Sequence, residues 1–392
     1  MKILTFTSLY PNAQQPNHGV FVENRLRHLT ADGTVECRVV APVPWFPSTN
    51  ARFGQYAQFA RVPVAEVRHG ISIVHPRYLH IPKLGMTMSP YLMAAAMRPV
   101  LERIISEGYD FDLIDAHYFF PDGVAAVQFG DYLNKPVVIT ARGSDISVIA
   151  QLAQPRKMII RAAGKAAGLI TVCEALKQAM VDLGIAQERI VVLRNGVDLT
   201  TFRPIDRVIQ RARLGLTQFT LLSVGQLIAH KGQGLIIEAL SLLPDTRLLL
   251  AGIGPDRAQL EAQARHFGVH DRVRFLGAVP HAELRNYYGA ADALVLASSR
   301  EGWANVLLES MACGTPVIAS NVWGTPEVVQ SPAAGLLLEQ RTARSIADSV
   351  MALRAVPPDR SATRRYAEKF SWSDTTSGQI RLFKKILKDR HL

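Results

Sequence analysis

The 392-residue sequence has only three cysteines, Cys37, Cys173 and Cys313. They are too few and too scattered for a disulfide framework or a zinc site, and such usage fits a reducing compartment. No apolar run reaches the roughly 18–20 residues that a membrane-spanning helix needs. The start, Met1–Tyr10, lacks the long apolar core and small-residue cleavage site of a secretory signal. Charged residues make up 20%, and Gly and Pro number 27 and 22, which is ordinary globular usage and excludes a disordered or collagen-like chain. What remains is a protein of two domains at roughly 100–200 residues each. It is expected in the cytoplasm, free or peripheral at the inner face of the plasma membrane.

The charge is uneven. There are 44 basic and 33 acidic side chains, a net of +11. Residues 1–200 hold 20 basic and 16 acidic (+4), 201–353 hold 14 and 13 (+1), and 354–392 hold 10 and 4 (+6). Residues 51–100 hold six basic side chains, Lys83 among them, against one acid, Glu66. No helix-turn-helix or zinc-finger pattern accompanies this charge, so nucleic acid is not an expected partner.

Short apolar runs alternate with helical patterns. Lys2–Thr7, Glu36–Ala41, Leu113–His117, Pro136–Thr140, Gly168–Val172 and Ile190–Leu193 read as strands of a buried parallel sheet. Helical periodicity covers Phe21–Thr30, Met88–Ile105 and Ala175–Leu183. The rhythm restarts with strands at Phe219–Gly225, Leu248–Ala251, Val273–Leu276, Ala293–Ala297 and Pro316–Ala319, separated by helical stretches. Two such series predict two doubly wound α/β domains, with the linker in Thr200–Thr217. Ligands of such sheets bind beyond the carboxyl ends of the strands, and a cleft between two facing domains is the expected active site.

The strongest constellation is Glu301-Gly-Trp-Ala-Asn-Val-Leu-Leu-Glu309, followed by Ser-Met-Ala-Cys-Gly-Thr-Pro316. Strand 293–297 leads into a loop, and a helix begins near Ala304–Val306. A helix start offers unpaired N–H groups and a partial positive charge. Two carboxylates flanking it can accept hydrogen bonds from a hydroxyl-rich ligand. On spacing alone, both acids are equally readable as surface charges. Lys231 follows strand 219–225 and stands among Gly225, Gly232 and Gly234, which let a backbone approach a ligand. Gly252-x-Gly254 is not a nicotinamide-cofactor fingerprint, because Arg257 stands where the third glycine belongs.

Embedded in its context, this Glu-x7-Glu resembles the signature of retaining nucleotide-sugar glycosyltransferases of the family 4 type. Arg194-Asn-Gly-Val-Asp198 resembles the linker motif of that family, and Val224-Gly-Gln-Leu-Ile-Ala-His-Lys-Gly232 its phosphate loop. Ala251-Gly-Ile-Gly-Pro255, Val273–Gly277, Ala291-Asp292 and Pro326-Glu327-Val328 follow in the usual order. The resemblance implies a GT-B fold: two Rossmann-like domains facing across a cleft, an acceptor-side domain over 1–198, a donor domain over 199–370, and a helix over 371–392 returning to the first. It implies a UDP- or GDP-sugar as donor substrate, no cofactor, no metal, and a saccharide or lipid-linked saccharide acceptor. Val40–Pro47 and Thr7–Pro11 are similar to exopolysaccharide or teichuronic-acid assembly transferases.

It also implies roles. Glu309 would hold the donor ribose and Glu301 the transferred sugar. Trp303, Ala304, Asn305 and Val306 would lie near the sugar or diphosphate, and Lys231 would neutralise the diphosphate. Gln226 stands where the family often has Arg, and Gly19 resembles the end of its glycine loop. Asp115-Ala-His117 is similar to an Asp-x-His segment whose histidine sits at the cleft or is a structural one. Thr140-Ala-Arg142-Gly-Ser-Asp145 has Arg142 where the family has His. Arg142 cannot accept a proton at neutral pH but can bind phosphate or an acidic sugar. Asp145 faces the acceptor or caps the next segment. Glu301, His117 and Arg142 are the candidate catalytic residues. The basic stretch after Phe370 either packs on the first domain or rests near an anionic membrane surface. A GT-B-like epimerase or glycan phosphorylase, and a non-catalytic carbohydrate-binding protein, are the alternatives.

Overall fold

The structure is a computed structural model that describes residues 1–80 and 85–390. Lys83 of the basic 51–100 segment lies outside the described residues. The chain divides into two compact units, Met1–Arg194 with Ser373–Leu392, and Asn195–Trp372.

The first unit is built on β1 (Lys2–Phe6), β2 (Glu36–Val40), β3 (Val43–Pro44), β4 (Ala65–Arg68), β5 (Ile71–Val74), β6 (Arg77–Tyr78), β7 (Leu113–His117), β8 (Val137–Ala141), β9 (Gly168–Thr171) and β10 (Ile190–Val192). Eight of them form one sheet in the order β10-β9-β8-β7-β1-β2-β5-β4. All pairs are parallel except β4 with β5. Strands β7 and β8 are buried along their whole length; β8 reads as a nearly continuous apolar run, while β7 carries Asp115 and His117 among its buried residues. The edge strand β4 alternates exposed and half-buried residues and gives no such run. The short β3 and β6 pair separately.

The second unit holds β11 (Phe219–Val224), β12 (Thr246–Ala251), β13 (Val273–Gly277), β14 (Ala293–Leu296), β15 (Val317–Ser320) and β16 (Gly335–Leu338). They make an all-parallel sheet in the order β13-β12-β11-β14-β15-β16. Counted within the unit this is 3-2-1-4-5-6, the doubly wound order. Its core gathers Leu221, Leu248, Leu250, Val295 and Ile318 from the strands with Ile236, Ile237, Ile346 and Val350 from the helices.

The division between units differs from the expected one. The stretch expected as a linker, Thr200–Thr217, contains a helix, Arg207–Leu214, capped by the Asp206 carboxylate and closed by Gly215 in the left-handed region. None of its residues is buried, so no apolar period announced it. Arg207 and Arg211 both pair with Asp292, tying it to the second unit. The first break falls after Arg194, four residues before the expected boundary at 198. Residues beyond it bond within the second unit: the Val197 amide donates to the Phe370 carbonyl (2.9 Å) and the Trp303 indole to that of Asn195 (3.0 Å).

The last helix, Trp372–Arg390, groups with the first unit from Ser373 onward. Phe383 is fully buried in a cluster with Ile3, Val138, Ile170 and Leu193. Gly378 and Gly168 allow the close approach: a Cβ on Gly378 would lie 2.5 Å from Leu193 Cδ2, and one on Gly168 2.9 Å from Ile386 Cδ1. Among the described residues, no helix is long and apolar enough to cross a membrane. Phe383→Ala is expected to cost about 3–5 kcal/mol and to lower the urea midpoint of the first unit. The exposed Lys385→Ala, on the same helix, should stay within about 0.5 kcal/mol. Equal midpoints for the two variants would refute this role of the helix.

Candidate active site

In the second unit the strand order reverses between β11 and β14, so the loops after those two strands flank the switch point where such sheets bind ligands. The loop after β11 carries Gly225, Gln226 and Lys231. Gly225 has φ 153°, and its missing Cβ faces only the Lys231 side chain. Gly232 has φ 72°, and a Cβ there would lie 2.1 Å from the Ala297 carbonyl oxygen, so the two loops pack backbone to backbone. The Ser299 amide seals this by donating to the His230 carbonyl (2.8 Å). Gly252 is required by packing of the same kind: its Cβ would lie 1.8 Å from the Gly225 carbonyl oxygen.

These loops bring Lys231 and Glu301 together. Lys231 Nζ donates to Glu301 Oε1 at 2.6 Å, and Ser298 Oγ donates to the same oxygen at 2.6 Å. Both charged groups are mostly but not fully covered, with side chains 22% and 11% exposed. Beyond Glu301 comes Trp303, whose indole bonds Asn195, then the helix Asn305–Ala312. Ala304 precedes this helix without a side-chain cap. Asn305 Oδ1 accepts from Asn195 Nδ2 at 3.3 Å. Val306 is half-buried in the first turn. Gln226 is exposed, and its carbonyl accepts from Gln233 Nε2 (2.9 Å).

Glu309 lies inside the helix and is 6% exposed. His281 Nε2 bonds one carboxylate oxygen and Tyr288 O–H donates to the other, each at 2.8 Å. Burial, then the Glu309 charge, raises the Tyr288 phenol far above its ordinary value, so it remains a donor. Phe202 packs edge-on against His281 at 5.0 Å between ring centres. Ser298, His281 and Tyr288 belong to no motif read from the sequence. They reach the two glutamates from separate loops and helices, and only Ser298, three residues before Glu301, was near enough to signal itself.

In the first unit the order reverses between β1 and β7. The loop after β1 ends at Gly19, φ 71°, where a Cβ would lie 2.3 Å from the Leu9 carbonyl oxygen. Asp122, beyond β7, holds the start of that loop: its Oδ2 accepts from the Ser8 amide (2.7 Å) and the Ser8 hydroxyl (2.9 Å). Burial pushes the Asp122 carboxyl up to about 7, against the pull of those hydrogen bonds.

His117 ends β7 and has no exposed surface. Its Nδ1 lies 2.6 Å from Arg142 Nη2, and its Nε2 lies 3.2 Å from Asp115 Oδ2. Of its two expected roles, at the cleft or structural, the contact with Arg142 fits the structural one, while Nε2 makes no hydrogen bond. Arg142 is 9% exposed and stacks over the Phe21 ring at 5.3 Å. Burial lowers the His117 imidazole to about 4, with Asp115 opposing. Asp145 is fully buried and spends its carboxylate on backbone amides of Phe119 (2.7 Å), Arg142 (3.1 Å), Gly143 (2.7 Å) and Ile146 (3.2 Å). Of its two expected roles it performs the capping one, and the acceptor-facing one finds no free oxygen.

Comparison with known proteins agrees over most of the chain. Residues 18–201 match the family described as Glycosyltransferase Family 4, and residues 205–370 match Glycosyl transferases group 1. The chain is 30% identical to a Bacillus subtilis protein assigned to teichuronic acid biosynthesis as the glycosyltransferase TuaC, over 89% of this chain and 88% of that one. It is 31% identical to a D-inositol 3-phosphate glycosyltransferase of Geodermatophilus obscurus, over 81% and 76%. Sucrose-phosphate synthase from Thermosynechococcus elongatus superimposes with a TM-score of 0.81 at 20% identity, covering 99% and 100% of the two chains. Anabaena HepE, solved with UDP and glucose, superimposes at 0.75 with 20% identity over 98% and 100%. The structural likenesses carry the GT-B fold, the sequence relatives carry the enzyme class, and the chain belongs to the family 4 glycosyltransferases.

Proposed function

We propose that this glycosyltransferase moves a sugar from a UDP-sugar to a saccharide or lipid-linked saccharide acceptor, with retention, in the assembly of a cell-surface polysaccharide. The observation that carries the reading is the convergence of Lys231, Glu301 and Ser298 at the switch point of the second unit. It joins a cation suited to a diphosphate with a carboxylate suited to sugar hydroxyls. Glu309, held by His281 and Tyr288, supplies a second fixed carboxylate for the ribose. Lys231 would stabilise the charge that develops on the departing diphosphate, the step where an oriented cation contributes most. UDP is preferred over GDP because the HepE structures hold UDP or UDP-glucose. The Bacillus relative, by its name, works in polymer assembly, which supports the acceptor class.

The acceptor reading has a surface to go with it in the first unit. Trp45 donates its amide to the Tyr78 carbonyl (2.8 Å), which sets Trp45 beside Leu79 just past the paired β3 and β6. Both are about half exposed, as are Met86, Met88 and Tyr91 at the approach to the helix Ser89–Ser106. Arg52 and Arg98 are exposed in the same segment, which has Glu66 as its one acid. Exposed apolar residues among cations suit an anionic interface.

Three outcomes follow. In thermal-shift assays with UDP-, GDP- and ADP-sugars, the UDP series should raise Tm most; a larger shift with GDP-sugars overturns the choice of base. Glu309→Gln and Lys231→Ala should each lower transfer kcat/KM by about 100-fold or more with unchanged circular dichroism. The amide that replaces the Glu309 carboxylate still offers Tyr288 a partner, because the tyrosine hydroxyl both donates and accepts. After Lys231→Ala, the Glu301 carboxylate keeps the Ser298 hydroxyl as a partner. Full activity in either variant sinks the site assignment. In vesicle sedimentation at low salt, the protein should favour anionic over neutral vesicles, and Trp45→Ala with Arg52→Ala should weaken that preference. Equal partition to both vesicle types removes the membrane from the proposal.

A further inference from the structure

The diphosphate of a nucleotide sugar carries two negative charges, and Lys231 meets it already paired with Glu301. The lysine and the glutamate cancel, so the pair by itself leaves a bound diphosphate uncompensated. Further basic side chains reach the same ends of β11 and β14. His230 precedes Lys231, and its carbonyl accepts from the Ser299 amide (2.8 Å), which sets it level with Arg300. Arg341, between β16 and the helix Ala343–Ala355, donates Nε–H to the Ala297 carbonyl (2.7 Å).

The His230 imidazole registers the resulting field. Burial lowers it first, then the Arg300 charge, then Lys231, with Glu301 opposing and Arg341 adding least. It is therefore neutral near pH 7, and the fixed positive charge lies with the lysine and the two arginines.

Arg300 stands apart from the other arginines of this unit. Arg207 and Arg211 are spent on Asp292, and Arg360 on the Ala291 and Gly289 carbonyls. Arg300 is half-buried, yet among the described residues it makes no hydrogen bond, ion pair or ring contact. A guanidinium offers five N–H donors in a planar fork that fits two oxyanion oxygens at once. Partly covering one without a partner costs free energy that a bound anion would offset.

Two anions of a donor present such oxygens: the diphosphate, and the carboxylate of an acidic transferred sugar. The diphosphate is favoured on two grounds. Arg300 exerts its effect on His230, the neighbour of Lys231, and the adjoining Glu301 would repel a second carboxylate. The charges also match, because with Lys231 and Glu301 cancelling, Arg300 and Arg341 balance the two negative charges of the diphosphate. We propose that Arg300 is a donor-binding residue, a second cation for the diphosphate alongside Lys231, supplied from the loop after β14 while Gln226 in the loop after β11 brings no charge. The proposal rests on the nucleotide-sugar reading of this site.

Calorimetric titration of the full chain with UDP, UDP-glucose, UDP-glucuronate and inorganic pyrophosphate tests it without requiring turnover. Arg300→Gln should weaken all four by about 10- to 100-fold, with an unchanged urea midpoint, since the side chain has no protein partner to lose. Arg300→Lys, which keeps the charge without the fork, should fall between the parent and the Gln variant. Arg365→Gln, at an exposed position on the helix Arg360–Ala367, should bind like the parent. An Arg300→Gln protein that binds UDP as tightly as the parent overturns the proposal and leaves the donor site standing. A loss confined to UDP-glucuronate also overturns it, by giving Arg300 to a sugar carboxylate. A parent that binds none of the four, nor GDP or GDP-sugars, removes the donor site and Arg300 with it.

Discussion

A parallel strand covered on both faces has no exposed side chain to offer along its length, so its chemistry has to sit at its ends. The candidate sites of both units follow from that constraint. In the second unit, Lys231 and Glu301 come from the loops after the two strands where the winding reverses, and their separation of 70 residues vanishes because those strands are neighbours. In the first unit, the equivalent pair is β1 and β7, and the groups gathered there are Ser8, Gly19, His117 and Asp122. Glycines make the loops fit, since Gly19, Gly232 and Gly252 each stand where a Cβ would collide with a carbonyl.

The two ends are not chemically alike. In the second unit Lys231 and Glu301 keep some contact with solvent, and a ligand's oxygens can take the place of Glu301 on Lys231. In the first unit Arg25, Asp115, Asp122, Arg142 and Asp145 are buried and bonded largely to other buried side chains or to backbone amides. Removing a partner from a buried charge is costly, while removing one from an exposed pair is not. The first arrangement suits a ligand that comes and goes. The second suits a rigid support whose geometry must not change.

The strands were legible because burial on both faces writes itself as a continuous apolar run. Ile3–Leu4, Leu248–Ala251 and Ala293–Leu296 are cases. The edge strand β4 was not, since its exposed alternation in Ala-Glu-Val-Arg looks like a loop. The helix Arg207–Leu214 was invisible for a related reason: it is held by Arg207 and Arg211 on Asp292, not by an apolar face. At the site, spacing along one segment made Glu301 and Glu309 readable. Partners contributed by other segments were not readable, because nothing in a local window places His281 or Tyr288 on Glu309. Arg142 was noticed only as a departure from a pattern. Its union with His117 required the register of β7 against β8, which aligns His117 with Thr140 and so brings the two loop entrances level.

The Lys231–Glu301 pair carries a consequence for how a charged donor would enter. A mostly covered ion pair such as this one contributes little net stability, because taking both charges out of water offsets much of their attraction. A diphosphate would bring two negative charges to one lysine, and hydrogen bonds to charged groups contribute roughly 1.5–3 kcal/mol. Exchange of Glu301 for diphosphate on Lys231 is therefore downhill. It also frees the Glu301 oxygen to accept from a sugar hydroxyl while Ser298 Oγ still fixes its direction. One ligand would then satisfy both members of the pair at once, and a nucleoside diphosphate without its sugar would leave Glu301 with only the serine. Under the proposed donor role, the resting pair would favour the intact nucleotide sugar over the nucleotide alone, a selectivity built from two residues that neutralise each other until the donor arrives.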